Sequence, residues 1–518
     1  MSSSEGSLLN ANRTLLLLAA IVFISMCSRL YGLGRESLAP DELYTIPASI
    51  GRHYRFQSKF RQPAYPVSVT LYRNLLEPDL GDEGLGEVTD VLKRNVHVPL
   101  YFYFMHYWIR LFGTSEVALR FPSVIFGVLS IIAIFLLGRE LFNPFVGLFS
   151  SMLLGLIPEQ VYESTNARMY SLLILLVVLS TYSLILLVKR PSRTKYLLYG
   201  IISVAGLYTH YVYLFCLASQ TLYVYSLFKS RKEIRSPSLV TQLLIGLSFA
   251  PWLFICWSQN QTSEEALSWV SGTLTGWEIF LTVIKQVAQL TSVPDAPLGK
   301  LSQLAALILI FFGIRSLLSA RSVLLLLGLW VVIPVAGILL ADALGGKKSI
   351  TVTRYWVMIS PALYLLMSVG AQQLADTFGE VKTVAALTTL LAVASFCTAG
   401  GGMGRPFDFK GLTRYVESQI KDVDKEPVLT EGSAAIPLAL AYYGRRDLRV
   451  WRLNFESGEP SEQKFVEVMR AEAGMQGTVW LLTNQTGGAA ETLTRLGFRL
   501  DESQGPAAPK NVYRYVLQ

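Results

Sequence analysis

Two adjacent carboxylates, Asp41 and Glu42, come shortly after the first hydrophobic run of the chain. Such groups at a membrane edge need a partner or a chemical role, because partial desolvation disfavours their charged form. A carboxylate within hydrogen-bond reach of an attacking hydroxyl or amine would act as a general base. The alternative is a helix cap, since Pro40, Asp41 and Glu42 together are typical of a helix start. Capping and base catalysis are compatible, because a cap would also fix the direction of the side chain.

Two arginines stand at the entrances of predicted helices. Arg168 lies in Asn166-Ala167-Arg168-Met169-Tyr170, and Arg354 lies in Thr353-Arg354-Tyr355. A guanidinium group pairs bidentately with phosphate, and the N-terminus of a helix favours anions. For Arg168 the alternative is snorkelling to lipid headgroups. One acid pair and several cations predict a substrate with a phosphate leaving group, whose developing charge the cations would stabilise.

Two histidines and two tyrosines accompany these groups. His97 begins the motif His97-Val98-Pro99-Leu100-Tyr101 and suits a contact to a phosphate or a sugar, with a capping or interfacial role as the alternative. His210 lies in Tyr208-Thr209-His210-Tyr211, where an interfacial aromatic belt would explain the tyrosines and not the histidine. Tyr101 and Tyr170 complete the set of candidate binding residues.

The composition predicts a polytopic membrane protein. Hydrophobic residues make up 52% of the 518 residues, charged residues make up 16%, and the mean hydropathy is +0.42. The apolar residues form runs of about 18 to 22, the length that crosses a hydrocarbon core. The net charge of +8 lies mostly in short loops, so it reports membrane topology and does not indicate a nucleic-acid partner.

Eleven spans are predicted, with the N-terminus inside. The run Tyr101–Phe112 is short and aromatic, so it is interpreted as an interfacial helix. Counting it as a span would move the two richest Lys/Arg clusters to the outside, against the positive-inside rule. On this topology all the acidic and cationic candidates reach one outer face. The predicted spans are about 14–32, 121–138, 146–164, 169–188, 196–210, 212–228, 239–257, 300–318, 322–342, 355–374 and 382–399.

Two domains are predicted. Residues 1–402 form the membrane domain, whose first outer loop, 33–120, carries the acidic pair and interfacial helices. Residues 403–518 alternate short β-like and helix-like runs, which predicts a small extracytoplasmic α/β domain. The β-like runs are 427–430, 448–453, 478–482, 498–500 and 512–516, and the helix-like runs are 412–420, 435–443, 462–473 and 489–496. This part has no Gly-rich phosphate loop, no Cys and no His. Packing or acceptor recognition is therefore the expected role of the second domain.

An ordered set of motifs resembles a known family. The chain is similar to the GT-C integral-membrane glycosyltransferases, in the bacterial branch akin to protein O-mannosyltransferases and lipid A aminoarabinose transferase. The resemblance covers roughly residues 10–375. It rests on Asp41-Glu42, His97-x-Pro99-Leu100-Tyr101, Trp108–Gly113, Ser115–Ser123, Ala167-Arg168-Met169-Tyr170, Tyr208–Tyr211 and Arg354-Tyr355.

The resemblance implies a polyprenyl-phosphate-linked sugar as donor and transfer with inversion. It implies that Asp41 is the catalytic base, that Glu42 is its neighbour in the acidic motif, and that Arg168 and Arg354 lie near the lipid phosphate. Two positions depart from the pattern of the relatives. Val98 stands where Pro or Lys is common, which removes a candidate phosphate contact, and Asn166 stands where Glu is common.

Direct displacement of the phosphate inverts the sugar and requires a single carboxylate base, unlike the paired carboxylates of glycoside hydrolases. Two carboxylates without nearby ligands make a weak site for a divalent cation, so no cofactor is predicted and metal dependence stays open. The expected partners are the donor, membrane lipids and a glycan, lipid or protein acceptor, and the expected location is the bacterial inner membrane. The alternatives are a lipid-linked-sugar transporter, which would need charges in mid-span, and a non-catalytic scaffold.

Overall fold

The fold was analysed in a computed structural model of the chain. The structure describes residues 11–52, 66–78, 84–93, 95, 97–258, 270–293, 299–378, 408–431, 435–453, 478–483, 488–495, 497–501 and 512–517.

Helices dominate the described residues, and nineteen α-helices are numbered here in chain order. They are α1 (Ala11–Leu30), α2 (Pro40–Ser49), α3 (Val69–Arg73), α4 (Leu85–Leu92), α5 (Leu100–Phe112), α6 (Glu116–Leu141), α7 (Pro144–Leu156), α8 (Pro158–Ser164), α9 (Tyr170–Lys189), α10 (Arg193–Leu207), α11 (Tyr213–Ser226), α12 (Arg235–Ser258), α13 (Gly276–Thr291), α14 (Gly299–Leu317), α15 (Arg321–Gly345), α16 (Ser360–Phe378), α17 (Phe409–Gln419), α18 (Ala435–Tyr443) and α19 (Gly488–Arg495).

Six short strands form one mixed sheet. The strands are β1 (Val67–Ser68), β2 (Val428–Glu431), β3 (Arg449–Leu453), β4 (Thr478–Thr483), β5 (Phe498–Leu500) and β6 (Val512–Leu517). Their order in the sheet is β1-β3-β2-β4-β6-β5. The central strand β2 runs parallel to both β3 and β4, and the remaining pairs are antiparallel.

The chain divides into two compact units. The first unit comprises Met1–Leu33, Lys93–Tyr101 and Arg120–Gly404, and the second comprises Gly34–Leu92, Phe102–Leu119 and Arg405–Gln518. The sequence predicts that the whole loop 33–120 belongs to the membrane domain. The predicted domain boundaries stay a prediction, and most of that loop belongs to the same compact unit as the C-terminal residues. The reason is a set of long-range contacts that local composition does not encode.

Seven of the described helices are long and apolar enough to cross a membrane: α1, α6, α9, α12, α14, α15 and α16. The helices α7 and α8 form a bent pair, which brings the number to eight if the pair is one span. The predicted spans 196–210 and 212–228 correspond to α10 and α11, which have only 15 and 14 residues. The predicted span 382–399 lies outside the described residues. The structure thus confirms the predicted class of an apolar, multi-helix protein.

A proline produces the bend of 66° between α7 and α8. Pro158 has no N–H, so it leaves the carbonyl of Leu154 without its usual helical donor. The buried side chain of Arg29 in α1 replaces that donor: its guanidinium lies 3.4 Å from the Leu154 oxygen and 2.8 Å from that of Gly155. Its Nε also donates to Ser164 Oγ at 2.7 Å. Arg29 therefore fixes both helices at the bend and, with them, the turn that follows α8.

The helix α5 has two faces of different exposure. Its 13 residues are too short for a membrane span, in keeping with the interfacial interpretation. His106 on the buried face is hydrogen-bonded to the backbone oxygen of Ser49 at 2.9 Å. The buried residues are Tyr101, Phe102, Met105, His106 and Ile109, and the large exposed residues are Tyr107, Leu111 and Phe112. An exposed aromatic and aliphatic face suits a helix that lies on a membrane surface.

The second unit confirms the predicted α/β region. The predicted β-like runs coincide with strands β2 to β6, and the predicted helix-like runs coincide with α17, α18 and α19. The predicted helix 462–473 lies outside the described residues. The first loop adds strand β1, which was not predicted. Asp447 fastens it, because its carboxylate accepts hydrogen bonds from the Ser68 hydroxyl and from the N–H and hydroxyl of Thr70.

We expect Gly370→Val to destabilise the first unit by about 1–3 kcal/mol. The helices α14 and α16 touch at their backbones: a Cβ at Gly370 would overlap the carbonyl oxygen of Leu309, and one at Gly313 would overlap that of Leu366. Small residues permit such close packing between membrane helices. Thermal unfolding in detergent tests this, with Gly328→Val as the control, because a Cβ at Gly328 meets no atom within 4 Å. Equal melting temperatures for the two variants would contradict the packing argument.

Candidate active site

A tight turn between α8 and α9 carries Arg168. The Arg168 N–H donates to the Asn166 oxygen at 2.7 Å, and the Ser123 hydroxyl of α6 donates to the Arg168 oxygen at 3.3 Å. The Ser171 hydroxyl donates to the Glu163 oxygen at 2.9 Å and ties the start of α9 to α8. The side chain of Arg168 is buried. The backbone on both sides of this arginine is therefore held in place.

His97 is the hydrogen-bond partner of the Arg168 guanidinium. The distance between Arg168 Nη2 and His97 Nε2 is 2.9 Å. A guanidinium only donates, so Nε2 must accept, and His97 is the neutral tautomer with its proton on Nδ1. The histidine thus orients one arm of the arginine. Its predicted contact with a phosphate or sugar stays a prediction, and the contact seen here is to Arg168.

His210 lies in the turn that links α10 and α11. Two residues earlier, the backbone oxygen of Tyr208 accepts a hydrogen bond from the N–H of Leu100 at 2.9 Å. Leu100 is the first residue of α5. The Val212 N–H donates to His210 Nδ1 at 3.2 Å. Because Nδ1 accepts, the proton of the neutral imidazole is on Nε2, which is therefore a donor. The His210 ring lies 5.5 Å from that of Tyr170, measured between centroids.

The electrostatic surroundings keep His210 uncharged. Burial, and then the positive charges of Arg168 and Arg354, lower the pKa of His210 to about 3. The histidine is consequently neutral at pH 7. Since two arginine charges disfavour a third positive charge at this position, the same field favours an anion. Two cations from other turns thus act on a neutral N–H donor in this buried turn.

Arg354 lies in a short 3₁₀ turn after α15. The loop before it is fastened by Asp342, whose carboxylate accepts the N–H groups of Ser349 and Ile350 at 2.9 and 2.8 Å. The indole of Trp356 donates to the Ile350 oxygen at 2.8 Å. These contacts hold the backbone on both sides of Arg354, just as the turn contacts do for Arg168.

Other polar residues near Arg354 were not predicted as site residues. The Thr353 hydroxyl donates to Gln289 Oε1 at 3.2 Å, and Gln289 Nε2 donates to Glu159 Oε2 at 3.4 Å. Tyr355 places its ring centroid 5.9 Å from that of His210. Tyr355 stands next to Arg354 in the sequence, whereas Glu159 fell inside a predicted span. Only the bend after α7 shows that Glu159 lies in the first turn of a new helix.

We use the name cationic cluster for the residues that the structure brings together in the first unit. Tyr101 is fully buried near the start of α5, one residue after the Leu100 N–H that contacts the turn of His210. The members of the cationic cluster are His97, Arg168, Tyr170, His210, Arg354 and Tyr355.

The acidic pair begins the helix α2 in the second unit. Ala39 is the N-cap, Pro40 is the first helical residue and Glu42 is the third. The Glu42 carboxylate accepts the Ala39 N–H at 2.8 Å and is fully buried. The predicted capping therefore occurs, and Glu42 is the residue that performs it. Asp41 is partly exposed, and its backbone oxygen accepts the Thr45 hydroxyl at 3.2 Å.

Comparisons with known proteins agree on one fold. Residues 96–255 match the sequence profile of a family described as dolichyl-phosphate-mannose-protein mannosyltransferase. ArnT from Cupriavidus metallidurans bound to undecaprenyl phosphate superposes with a TM-score of 0.56 at 12% identity, over 98% of both chains. The chain has the GT-C glycosyltransferase fold. The Archaeoglobus fulgidus oligosaccharyltransferase, in complex with Zn and sulfate, is 13% identical, with a TM-score of 0.52 over 90% of this chain and 67% of its own.

The GT-C fold confirms the resemblance that the sequence motifs indicate, and the chain is a multi-pass membrane protein. The search of curated proteins finds no match. The acidic pair belongs to the second unit and the cationic cluster to the first, so their predicted common outer face stays a prediction. Among the described residues, no three His, Cys, Asp or Glu side chains are arranged to hold a metal ion.

Proposed function

We propose that this GT-C protein transfers a sugar from a polyprenyl-phosphate-linked donor to an extracytoplasmic acceptor in the bacterial inner membrane, with inversion at the anomeric carbon. The observation that carries the proposal is the cationic cluster, in which Arg168 is buried and His210 is kept neutral by its burial and by the field of two arginines. A helical membrane unit with a positive interior site suits a substrate that combines one phosphate with a long apolar tail.

The cationic cluster supplies what a departing phosphate needs. Displacement at the anomeric carbon breaks the bond from carbon to phosphate oxygen, and the electron pair leaves with the polyprenyl phosphate. Arg168 and Arg354 would stabilise the negative charge that develops on that oxygen. Neutral His210 would add a hydrogen bond from Nε2–H. Because this donor needs no protonation, its contribution would be the same throughout the physiological pH range.

Asp41 is proposed as the base that takes the proton of the acceptor. The acceptor hydroxyl or amine attacks the anomeric carbon as its proton passes to the Asp41 carboxylate, and the single displacement inverts the configuration. The two carboxylates differ in what supports such a role. Glu42 is fully buried and caps α2, whereas Asp41 is partly exposed in the first turn. Asp41 is accordingly the better candidate for contact with an acceptor.

The test is sugar transfer by the purified chain in proteoliposomes. Undecaprenyl-phosphate-linked mannose, glucose and aminoarabinose, each labelled in the sugar, are supplied as donors. Lipid, glycan and protein fractions of the source organism are supplied as acceptors. We expect label to move from one donor into one fraction. Movement of intact donor across the bilayer without transfer would favour the transporter, and neither movement nor transfer would favour the scaffold.

A further inference from the structure

A hydrogen-bonded network in the second unit joins parts of the chain that are far apart in sequence. It links the segment 34–39, which precedes the acidic helix α2, to Glu116 at the start of α6 and to two side chains of the C-terminal region, Lys410 of α17 and Tyr443 of α18. None of the contacts is local in sequence. The network therefore connects the C-terminal region directly to the segment that precedes Asp41.

The side chain of Lys410 donates hydrogen bonds to this segment. Its ammonium group lies 2.7 Å from the Glu116 carboxylate and donates to the backbone oxygens of Gly34 and Arg35 at 2.8 and 3.2 Å. Three acceptors match the three N–H bonds of an ammonium group. The Lys410 backbone N–H also donates to Ser37 Oγ at 2.9 Å. The side chains of Lys410 and Glu116 are 20% and 15% exposed, so solvent competes little for this pair.

Tyr443 holds the next residue of the segment. Its hydroxyl lies 2.8 Å from Glu116 Oε1 and 2.7 Å from the N–H of Leu38. A carboxylate only accepts and an N–H only donates, so the phenol donates to Glu116 and accepts from Leu38. Burial raises the pKa of Tyr443, which keeps the phenol protonated and able to donate. One hydroxyl thus couples the charged pair to the backbone.

The residues fixed by this network lie only a few positions before Asp41. Leu38 precedes Ala39, the N-cap of α2, whose N–H is bound by Glu42. The helix α2 also packs against α18, with Leu43 and Ile46 fully buried. Asp41 occupies the second position of this helix. The backbone position of Asp41 is thereby set from two sides, by the network before the helix and by the packing of α2 against α18.

We infer that Tyr443, together with Lys410 and Glu116, is a positioning residue for Asp41. The inference rests on the proposed function, since it concerns the base of that reaction. It assigns the C-terminal region a task in catalysis, namely to hold the first turn of α2 in the geometry that the acceptor requires. A displacement of about 1 Å in a reacting group can cost about 10²-fold in rate. A network that binds Gly34, Arg35, Ser37 and Leu38 just before the helix is suited to prevent such a displacement.

The variant Tyr443→Phe tests the inference, because it keeps the ring and removes only the hydroxyl. We expect kcat to fall about tenfold, while the KM for the donor changes less than about twofold, since the proposed phosphate ligands lie in other segments. The matched control is Tyr442→Phe, whose hydroxyl donates to the Thr114 oxygen at 2.6 Å and makes no such contact with Leu38. The control should keep the wild-type kcat.

Hydrogen exchange in the peptide 34–43 gives a readout that does not depend on activity. Tyr443→Phe should accelerate exchange at Leu38, whereas Tyr442→Phe should not. Faster exchange with an unchanged kcat would mean that the network only stabilises the fold, and it would overturn the inference. Absence of transfer by the wild type, with the exchange result as expected, would instead refute the proposed function.

A second variant covers failure of Tyr443→Phe to fold. Glu116→Gln keeps an oxygen that accepts from Tyr443 and removes the charge opposite Lys410. We expect a fall in kcat of about threefold or more, with the donor KM retained. A wild-type kcat for folded Glu116→Gln would also overturn the inference.

Discussion

Asp41→Asn is expected to lower the rate of sugar transfer by about 10²–10⁴-fold, the usual contribution of a general base. The amide has nearly the shape of the carboxylate and cannot take the proton of the acceptor. Since Glu42, and not Asp41, caps the helix through the Ala39 N–H, the substitution leaves that cap intact. The measurement is kcat in proteoliposomes, with the melting temperature of each variant as a check on folding.

Two comparisons sharpen this experiment. Asp447→Asn is the matched control, because Asp447 fastens Ser68 and Thr70 in the same unit and has no proposed part in transfer. Glu42→Gln keeps an oxygen that can accept the Ala39 N–H, as Glu and Gln both do in capping boxes. It should therefore lose less activity than Asp41→Asn. A wild-type rate for Asp41→Asn would refute the assignment of the base and favour a scaffold.

The elements of the second unit were predictable because their patterns are local. The run Thr478–Leu482 is apolar and bounded by polar residues, and the structure makes it a strand whose side chains from Val479 onward are buried. The same reasoning found α18, with its continuous apolar run. Sequence periodicity reports burial of this kind directly. Short buried strands and helices of a small α/β region were accordingly placed within a few residues of their observed ends.

The contacts between distant segments were not predictable. Nothing local to Val67 and Ser68 shows that they pair with Val450 and Arg449. The same holds for Lys410 and Tyr443, whose partners precede them by more than 290 residues. The composition of a loop does not indicate which distant segment of the chain the loop contacts. Residues 33–120 were assigned to the membrane domain because their contacts with the C-terminal region cannot be seen in the local sequence.

The sequence singled out most residues of the cationic cluster, but it did not indicate the contacts between them. Arg168, His97, His210 and Arg354 were singled out because their charge or polarity is unusual at helix ends. The sequence does not reveal that His97 accepts from Arg168, or that burial and two arginines keep His210 neutral. Protonation depends on the groups that surround a side chain in three dimensions. His97 thus has a second candidate role beside the predicted phosphate contact, namely the orientation of Arg168.

Arg168→Lys is expected to lower kcat/KM for the donor by about 10²-fold, comparable to the loss of one donor to an oxyanion. Lysine keeps the charge in this buried position, so the fold should be retained. It loses the planar fork, and an ammonium group cannot reproduce a bidentate contact with phosphate while bonded to His97. The fall in kcat/KM should therefore come from the lost hydrogen-bond geometry of the guanidinium and not from a change of charge. The matched control is Arg193→Lys, an exposed arginine at the start of α10.

A binding measurement separates the role of Arg168 from that of Asp41. Undecaprenyl phosphate should raise the melting temperature of the wild type, of Arg193→Lys and of Asp41→Asn, because none of them alters the proposed phosphate ligands. The increase should be smaller for Arg168→Lys, and for His97→Ala to the extent that His97 holds the guanidinium in place. Equal stabilisation of all five proteins by undecaprenyl phosphate would show that Arg168 does not bind the lipid phosphate. A loss confined to Arg168→Lys and His97→Ala would tie the hydrogen bond between these two side chains to recognition of the donor.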